Sequence, residues 1–198
     1  MAMSKFEKRF VNRQKKGQRN IENVRQGLAQ LDVNRIRDVL ELGCGIGSVS
    51  AFLAENYAMN VLGLDFDPGQ VKIARQMHPE NNHLSFRVGD ASNLNFENES
   101  FDLVLSQDVF HHISAWDSAV QEVARVLRLH GYFIWLDFTY SRIIKRIFQS
   151  LVKNYGLYTW NDIRFEFSSN GLEQHFYEQL THGIFSYHHI VLRKSSKK

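Results

Sequence analysis

Residues 40–48 read Leu-Glu-Leu-Gly-Cys-Gly-Ile-Gly-Ser, LELGCGIGS. An apolar run ends in three glycines at alternate positions, Gly43, Gly45 and Gly47, with one acid, Glu41, in the approach. The run 37–43 has the length of a buried strand, and 48–57 (SVSAFLAENY) follows as a helix. Glycines at such a turn let backbone pass close under a ligand and adopt positive φ. The helix start near Ser48 offers free N–H groups to an anionic group such as a carboxylate.

Outward from this turn the rhythm repeats. A second strand covers 60–66 (NVLGLDF), and Asp67 as N-cap with Pro68 at the first position opens a helix over 67–78. Residues 84–90 and 101–107 read as the third and fourth strands. Apolar positions 116, 120, 123, 124 and 127 fall at helical spacing, and Gly131 precedes a fifth strand, 132–138. Alternating strands and helices predict a parallel sheet covered on both faces. The chain end breaks that order: 173–181 and 184–194, separated by His182-Gly183, predict an antiparallel hairpin at the far edge.

The fold class expected is therefore α/β: a doubly wound, mostly parallel, seven-stranded Rossmann-like sheet with a C-terminal antiparallel hairpin. Residues 1–34 form a basic helical segment covering the cleft, and 35–198 the ligand-binding domain with a helical insert at about 141–160. In 141–155, Ile143, Ile144, Ile147, Phe148, Leu151 and Val152 share one helix face, with Arg142, Lys145, Arg146 and Lys153 largely off it.

At 198 residues, 43% hydrophobic and 23% charged, the composition is that of one globular domain. The single cysteine, Cys44, excludes an internal disulfide and fits a reducing compartment. No apolar run suits a signal peptide or a membrane span, so the expected location is cytoplasmic. Residues 1–30 carry eight Lys/Arg against two Glu, and 191–198 carry four basic residues and no acid. No aromatic interleaves the basic run as a stacking platform, which disfavours nucleic acid as a partner. An acidic substrate or peripheral contact with an anionic membrane remains open to those basic residues.

Open parallel sheets bind ligands outside the carboxyl ends of their strands, where the strand order reverses. Three strand ends in succession supply a ligand-shaped set. The glycine turn comes first; Asp65, ending the second strand, can accept both hydroxyls of a ribose, with Phe66 against a purine; Asp90, ending the third, can take the exocyclic amine of adenine. In a G-x-G-x-x-G dinucleotide fingerprint the third glycine would fall on Ser48, and Glu41 would repel a pyrophosphate. A carboxylate there suits an ammonium instead. S-adenosylmethionine carries an ammonium and a sulfonium and has no phosphate.

The motifs VLELGCGIGSVS (39–50), VLGLDFDPGQV (61–71), FRVGDASNLNFENESFDLVLSQDVFHHI (86–113) and EVARVLRLHGYFIWLD (122–137) together resemble a class I S-adenosylmethionine-dependent methyltransferase of the type 11 group. They span about half the chain, 39–137, in the family's order. One departure is Leu129-His130-Gly131, where the family usually has Pro-Gly-Gly. The resemblance implies that Glu41, Gly43, Cys44 and Gly45 line the methionine moiety. It implies that Asp65 and Phe66 hold ribose and adenine, that Asp90 and Ala91 read the adenine edge, and that Gln107 sits beneath the sulfonium. Asp67, Asp102 and Asp117 are taken as caps or turn residues.

Methyl transfer is an in-line displacement in which alignment supplies much of the acceleration, with a base needed for a hydroxyl or protonated amine. His111 and His112, leaving the fourth strand, are the candidate catalytic bases, and Tyr140 is a further one. Asp108 and Asp137 lack a third partner, so no metal site is expected. His188-His189 lies on the last strand, where alternation points one residue to each face, and is read as structural. The expected acceptor is a small molecule, with the insert able to roof an apolar one. The alternatives are an RNA or protein methyltransferase, a catalytically silent cofactor-binding regulatory partner, and a nicotinamide dehydrogenase.

Overall fold

The structure, a computed structural model, describes residues 5–148, 155–181 and 185–196. Its elements in chain order are α1 (Lys5–Leu28), β1 (Asp38–Leu42), α2 (Ser48–Asn56), β2 (Asn60–Asp65), α3 (Pro68–Met77), β3 (Leu84–Val88), β4 (Phe101–Gln107), α4 (Trp116–Val126), β5 (Leu127–Tyr140), α5 (Arg142–Phe148), α6 (Trp160–Ser169), β6 (Leu172–Gln179) and β7 (Phe185–Lys194). The seven strands form one sheet in the order β3-β2-β1-β4-β5-β7-β6. The first five run parallel, and β7 is antiparallel to both β5 and β6. The order reverses between β1 and β4, which places a crevice outside their carboxyl ends.

Alternation along the strands divides the core in two. Val39, Val61, Leu103, Leu105, Ile134 and Val191 pack with α1, α2 and α3 on one face. Leu40, Leu62, Val104, Phe133, Trp135 and Ile190 pack with α4 and α6 on the other. Because both faces are covered, the central strands are apolar at nearly every position, as a doubly covered parallel sheet requires.

The expected helix start at Asp67-Pro68 is present: the Asp67 side chain accepts the Gly69 N–H at 2.7 Å. Asp102 receives the N–H groups of Arg37 and Asp38 and the Arg128 guanidinium, tying the starts of β1, β4 and β5 together. Asp117 lies in the first turn of α4 and accepts the Ser118 N–H.

Several elements differ from expectation. The fifth strand begins at Leu127, directly after α4, and runs 14 residues. Its early part passes through His130 at φ +67, beside a register shift between Phe101 and Leu103. A Cβ at Gly131 would meet the Arg128 and Asp102 carbonyl oxygens at 2.9 Å, so this turn is closed by backbone crowding. The expected insert, about 141–160, is followed by α6, which the hydrophobic pattern did not single out. A capping box starts it, with Thr159 and Asp162 each bonding the other's backbone N–H. The helix expected over 141–155 is seen as Arg142–Phe148; its remainder at 149–154, and the His182-Gly183 turn, lie outside the described residues.

Helix α1 is integral to the described fold. Val24 and Leu28 are buried, and a Cβ on Gly27 would meet Ile134 side-chain carbons at 3.1 and 3.2 Å, so the helix lies close against the sheet. Leu28→Ala should cost about 2–5 kcal/mol in urea-induced unfolding, as buried leucine truncations do. A loss below about 0.5 kcal/mol would contradict this packing.

Candidate active site

The β1–α2 turn shows what each glycine does. Gly43, Gly45 and Gly47 all have positive φ, at +69, +55 and +80. A Cβ on Gly43 would lie 2.2 Å from a Val109 methyl, and one on Gly47 would lie 2.6 Å from the Phe86 ring. Those two positions are emptied for protein packing. A Cβ on Gly45 would meet nothing within 4 Å. Its bare backbone faces open space, which is where a ligand fits.

Two adjoining cavities occupy the crevice. One, about 530 Å³, is bordered by Glu41, Cys44, Gly45, Ser48 and Gln107, with Lys16, Gly17 and Asn20 of α1 on its outer side. The other, about 390 Å³, is bordered by Leu64, Phe66, Asp90, Ala91 and Ile113. Gly43, Asp65, Asp108 and His112 border both. Every residue expected at the cofactor, Glu41, Gly43, Cys44, Gly45, Asp65, Phe66, Asp90, Ala91 and Gln107, lies on one or both. A larger groove of about 880 Å³ lies between α6 and strands β6 and β7, away from the strand ends. Size alone does not mark the site.

Asp65 uses each carboxylate oxygen once. Oδ2 accepts the Gly45 N–H at 2.8 Å and Oδ1 the Asp67 N–H at 2.9 Å, so each keeps acceptor capacity toward the cavity. Phe66 beside it is 77% exposed, a ring with no protein covering its face. Asp90 is a turn residue as well as a cavity residue: Oδ1 accepts both the N–H and the hydroxyl of Ser92. Gln107 donates from Nε2 to the Asn20 carbonyl at 3.1 Å, and its buried Oε1 has no hydrogen-bond partner. An orphaned buried acceptor at a cavity wall is a place for a ligand donor.

Glu41 sits between Gly63 of β2 and Leu105 of β4 and is buried. Ser50 donates its hydroxyl to the carboxyl. Burial pushes the Glu41 pKa up to about 8, against the opposing pull of Ser50 and with Asp65 adding a smaller push. Burial also raises the Cys44 thiol far above its ordinary range, so it is an un-ionised wall group here.

The two histidines separate. His112 borders both cavities, and burial, with His111 second, holds its pKa below the ordinary imidazole value. His111 borders neither. Its Nδ1 lies 2.7 Å from Oδ1 of Asp137, which is fully buried, and its ring lies 4.0 Å from the His112 ring and 4.3 Å from Phe138. Asp137 also accepts the N–H groups of Val109, His111 and Phe138. It thereby fixes the whole turn after β4. The signal for it was an acid inside the apolar run YFIWLDF, since a buried carboxylate must be fully bonded. Asp108 pairs with two cations of α1, Lys16 at 3.2 Å and Arg19 at 3.7 Å, and accepts the Tyr187 hydroxyl of β7 at 2.7 Å.

Tyr140 lies on the aromatic wall with Phe138 and Phe185, and burial raises its pKa. His188 and His189 point to opposite faces. His188 stacks on Trp160 and bonds Thr139 and Tyr177, while His189 packs on Phe176 beneath α1. Among the described residues no group of three His, Cys, Asp or Glu is placed to hold a metal.

Residues 40–135 match the family described as "Methyltransferase domain". That match covers just under half of the chain, and the fold is the one found in class I S-adenosylmethionine-dependent methyltransferases. It is 37% identical over 99 residues to 2-methyl-6-phytyl-1,4-hydroquinone methyltransferase from a Synechocystis species, covering 50% of this chain and 31% of that one. It is 39% identical over 110 residues to a fatty-acid O-methyltransferase from Mycolicibacterium smegmatis, covering 55% of this chain and 39% of the relative. The match thus spans only a third to two fifths of these curated relatives. Among solved structures, phosphoethanolamine N-methyltransferase 2 of Haemonchus contortus, in complex with S-adenosyl-L-methionine, superposes with TM-score 0.75 at 17% identity, over 88% of this chain and 52% of that one.

Glu41 gives a test independent of any ligand. A carboxyl whose folded pKa is raised favours folding fully below its unfolded value near 4.5 and loses that contribution as pH rises through about 8. Glu41→Gln, which keeps a neutral partner for Ser50, should stabilise the protein by about 3–5 kcal/mol near pH 9 and by under about 1 kcal/mol near pH 5. A difference that is flat across this range in denaturant titrations would contradict the burial of Glu41 described above.

Proposed function

We propose that this chain binds S-adenosylmethionine in the paired cavities and transfers its methyl group to a small lipophilic acceptor. The observation that carries the reading is the β1–α2 turn: open space at Gly45, beside a buried acid with no cation of its own and an orphaned Gln107 acceptor. That set suits an ammonium-bearing nucleoside and opposes a diphosphate. In this reading Glu41, Gly43, Cys44, Gly45 and Gln107 border the methionine end. Asp65 takes the ribose hydroxyls through its spare lone pairs, Phe66 lies against the adenine, and Asp90 and Ala91 meet its edge. Segment 1–34 covers the cleft, held there through Asp108 and Gln107.

Bound S-adenosylmethionine supplies an electrophilic methyl carbon. The chain's part is alignment and proton handling. His112, held neutral by burial, takes the proton of a hydroxyl acceptor on a ring nitrogen. His111 keeps its Nδ1 on Asp137 and packs against the His112 ring, which makes it a positioning residue.

The lipophilic acceptor is supported by the relatives' names, a phytyl hydroquinone and a fatty acid, and by a third cavity of about 570 Å³ walled by Phe138, Leu180, Phe185 and Tyr187. Phe138 is shared between that wall and the face of His111. The lone buried thiol fits a cytoplasmic enzyme.

S-adenosylhomocysteine should raise the melting temperature of the wild type, as a ligand of the folded state does, and NAD should not. Asp65→Ala removes the ribose acceptor and Gly45→Val fills the open space, and each should abolish the shift. Wild-type affinity in both variants by calorimetry would overturn the site assignment.

A further inference from the structure

We infer that the face at the carboxyl end of β5, beside α5 and the start of β7, docks the protein on an anionic lipid bilayer. Among the described residues eleven large apolar side chains are exposed, and six of them cluster here: Ile143, Ile147, Phe148, Tyr155, Leu180 and Phe185. Scattered singly they would call for no explanation; gathered, they mark an interaction surface. The sequence pattern had the apolar face of α5 covering the sheet or a substrate, yet Ile143 is 72% exposed and no residue of α5 is buried.

Ring contacts join the strand-end part of the patch. Tyr140, two residues before α5, has its ring 5.6 Å from Phe185 and 5.2 Å from Phe138. Phe138, Leu180 and Phe185 wall the third cavity, and Arg19 and Asn23 of α1 stand at its rim. Exposed Leu180 and Phe185 thus border an apolar opening whose Phe138 wall touches His111, and α5 follows Tyr140 closely in the chain.

Charge selects the occupant. On α5, Ile143 and Ile147 form one i,i+4 row, and Arg142 and Arg146 form the neighbouring row. Both arginines are exposed, and no ion pair to either is found among the described residues, whereas Lys145 is held by Asp162 at 2.8 Å. An apolar row flanked by exposed cations is the pattern of a surface that rests in the headgroup layer. In a two-fold contact between copies, the same arginine pair would face itself, which disfavours a second copy as the occupant. No helix among the described residues is long and apolar enough to cross a membrane, so the contact is peripheral.

The inference does not depend on the cofactor assignment, and its test uses no turnover. The purified full chain is floated with vesicles of phosphatidylglycerol or of phosphatidylcholine. It should bind the former, weaken as salt rises, and bind the latter far less. Arg142→Gln with Arg146→Gln should reduce affinity roughly twentyfold or more, at about fivefold for each cation removed. Ile143→Glu with Phe185→Glu should abolish binding while keeping the wild-type circular dichroism spectrum and cooperative urea unfolding, which report that the fold persists. Three results would each overturn the inference. They are absence of wild-type binding to phosphatidylglycerol, binding unchanged in the glutamate variant, and a wild-type dimer in light scattering that Ile143→Glu dissolves.

Discussion

A carboxyl group buried at the end of β1, with a serine hydroxyl as its hydrogen-bond partner and no ion pair reaching it among the described residues, is the constraint on which the rest depends. Its place is dictated by topology. Strand order reverses between β1 and β4, so the side chain of Glu41 stands at the one crevice that an open parallel sheet must have. Burial, outweighing the Ser50 hydrogen bond, raises its pKa to about 8, worth on the order of 5 kcal/mol in favour of the neutral form. A bound cation reverses that preference. The free protein therefore carries an unfavourable feature that a positively charged ligand relieves, and a diphosphate would aggravate it.

Around this carboxyl the chain divides its labour. Gly43 and Gly47 serve packing against Val109 and Phe86, while Gly45 faces open space. Asp65 sets the turn with one lone pair on each oxygen and retains the others. On the opposite side of the crevice, Asp137 gathers three backbone N–H groups and His111, which fixes the direction in which His112 faces. Asp108, at φ +56, joins that turn to α1 and β7. The wall after β4 is thus held by carboxylates rich in hydrogen bonds, while Glu41 on the β1 wall has Ser50 as its side-chain partner among the described residues.

The parts legible in the sequence are those set by local periodicity. Strands β1 to β4, helices α2 to α4 and the Asp67-Pro68 start are short apolar or amphipathic runs with clear stops. The residues at successive strand ends follow from them, because topology brings strand ends together whatever their separation along the chain. What was not legible depends on partners distant in sequence. Nothing local tells that Asp137 bonds His111 across 26 positions, or that α5 leaves Ile143 and Ile147 uncovered. Helix α6 escaped because it is only 10 residues long and Phe165 falls off the face that Trp160, Ile163 and Phe167 share, which blurs its period; the Thr159–Asp162 capping pair was the available clue. The early start of β5 replaced an expected turn because His130 adopts the left-handed conformation that a glycine would take without strain.

The sharpest test of a cationic ligand meeting Glu41 is proton release. Calorimetric titration of S-adenosylmethionine near pH 7, repeated in buffers of different ionisation enthalpy, counts the protons exchanged per ligand bound. Release of most of one proton is expected as Glu41 ionises against the ligand's charge, and none from Glu41→Gln. Binding with no proton release by the wild type, or equal release by the glutamine variant, would contradict it.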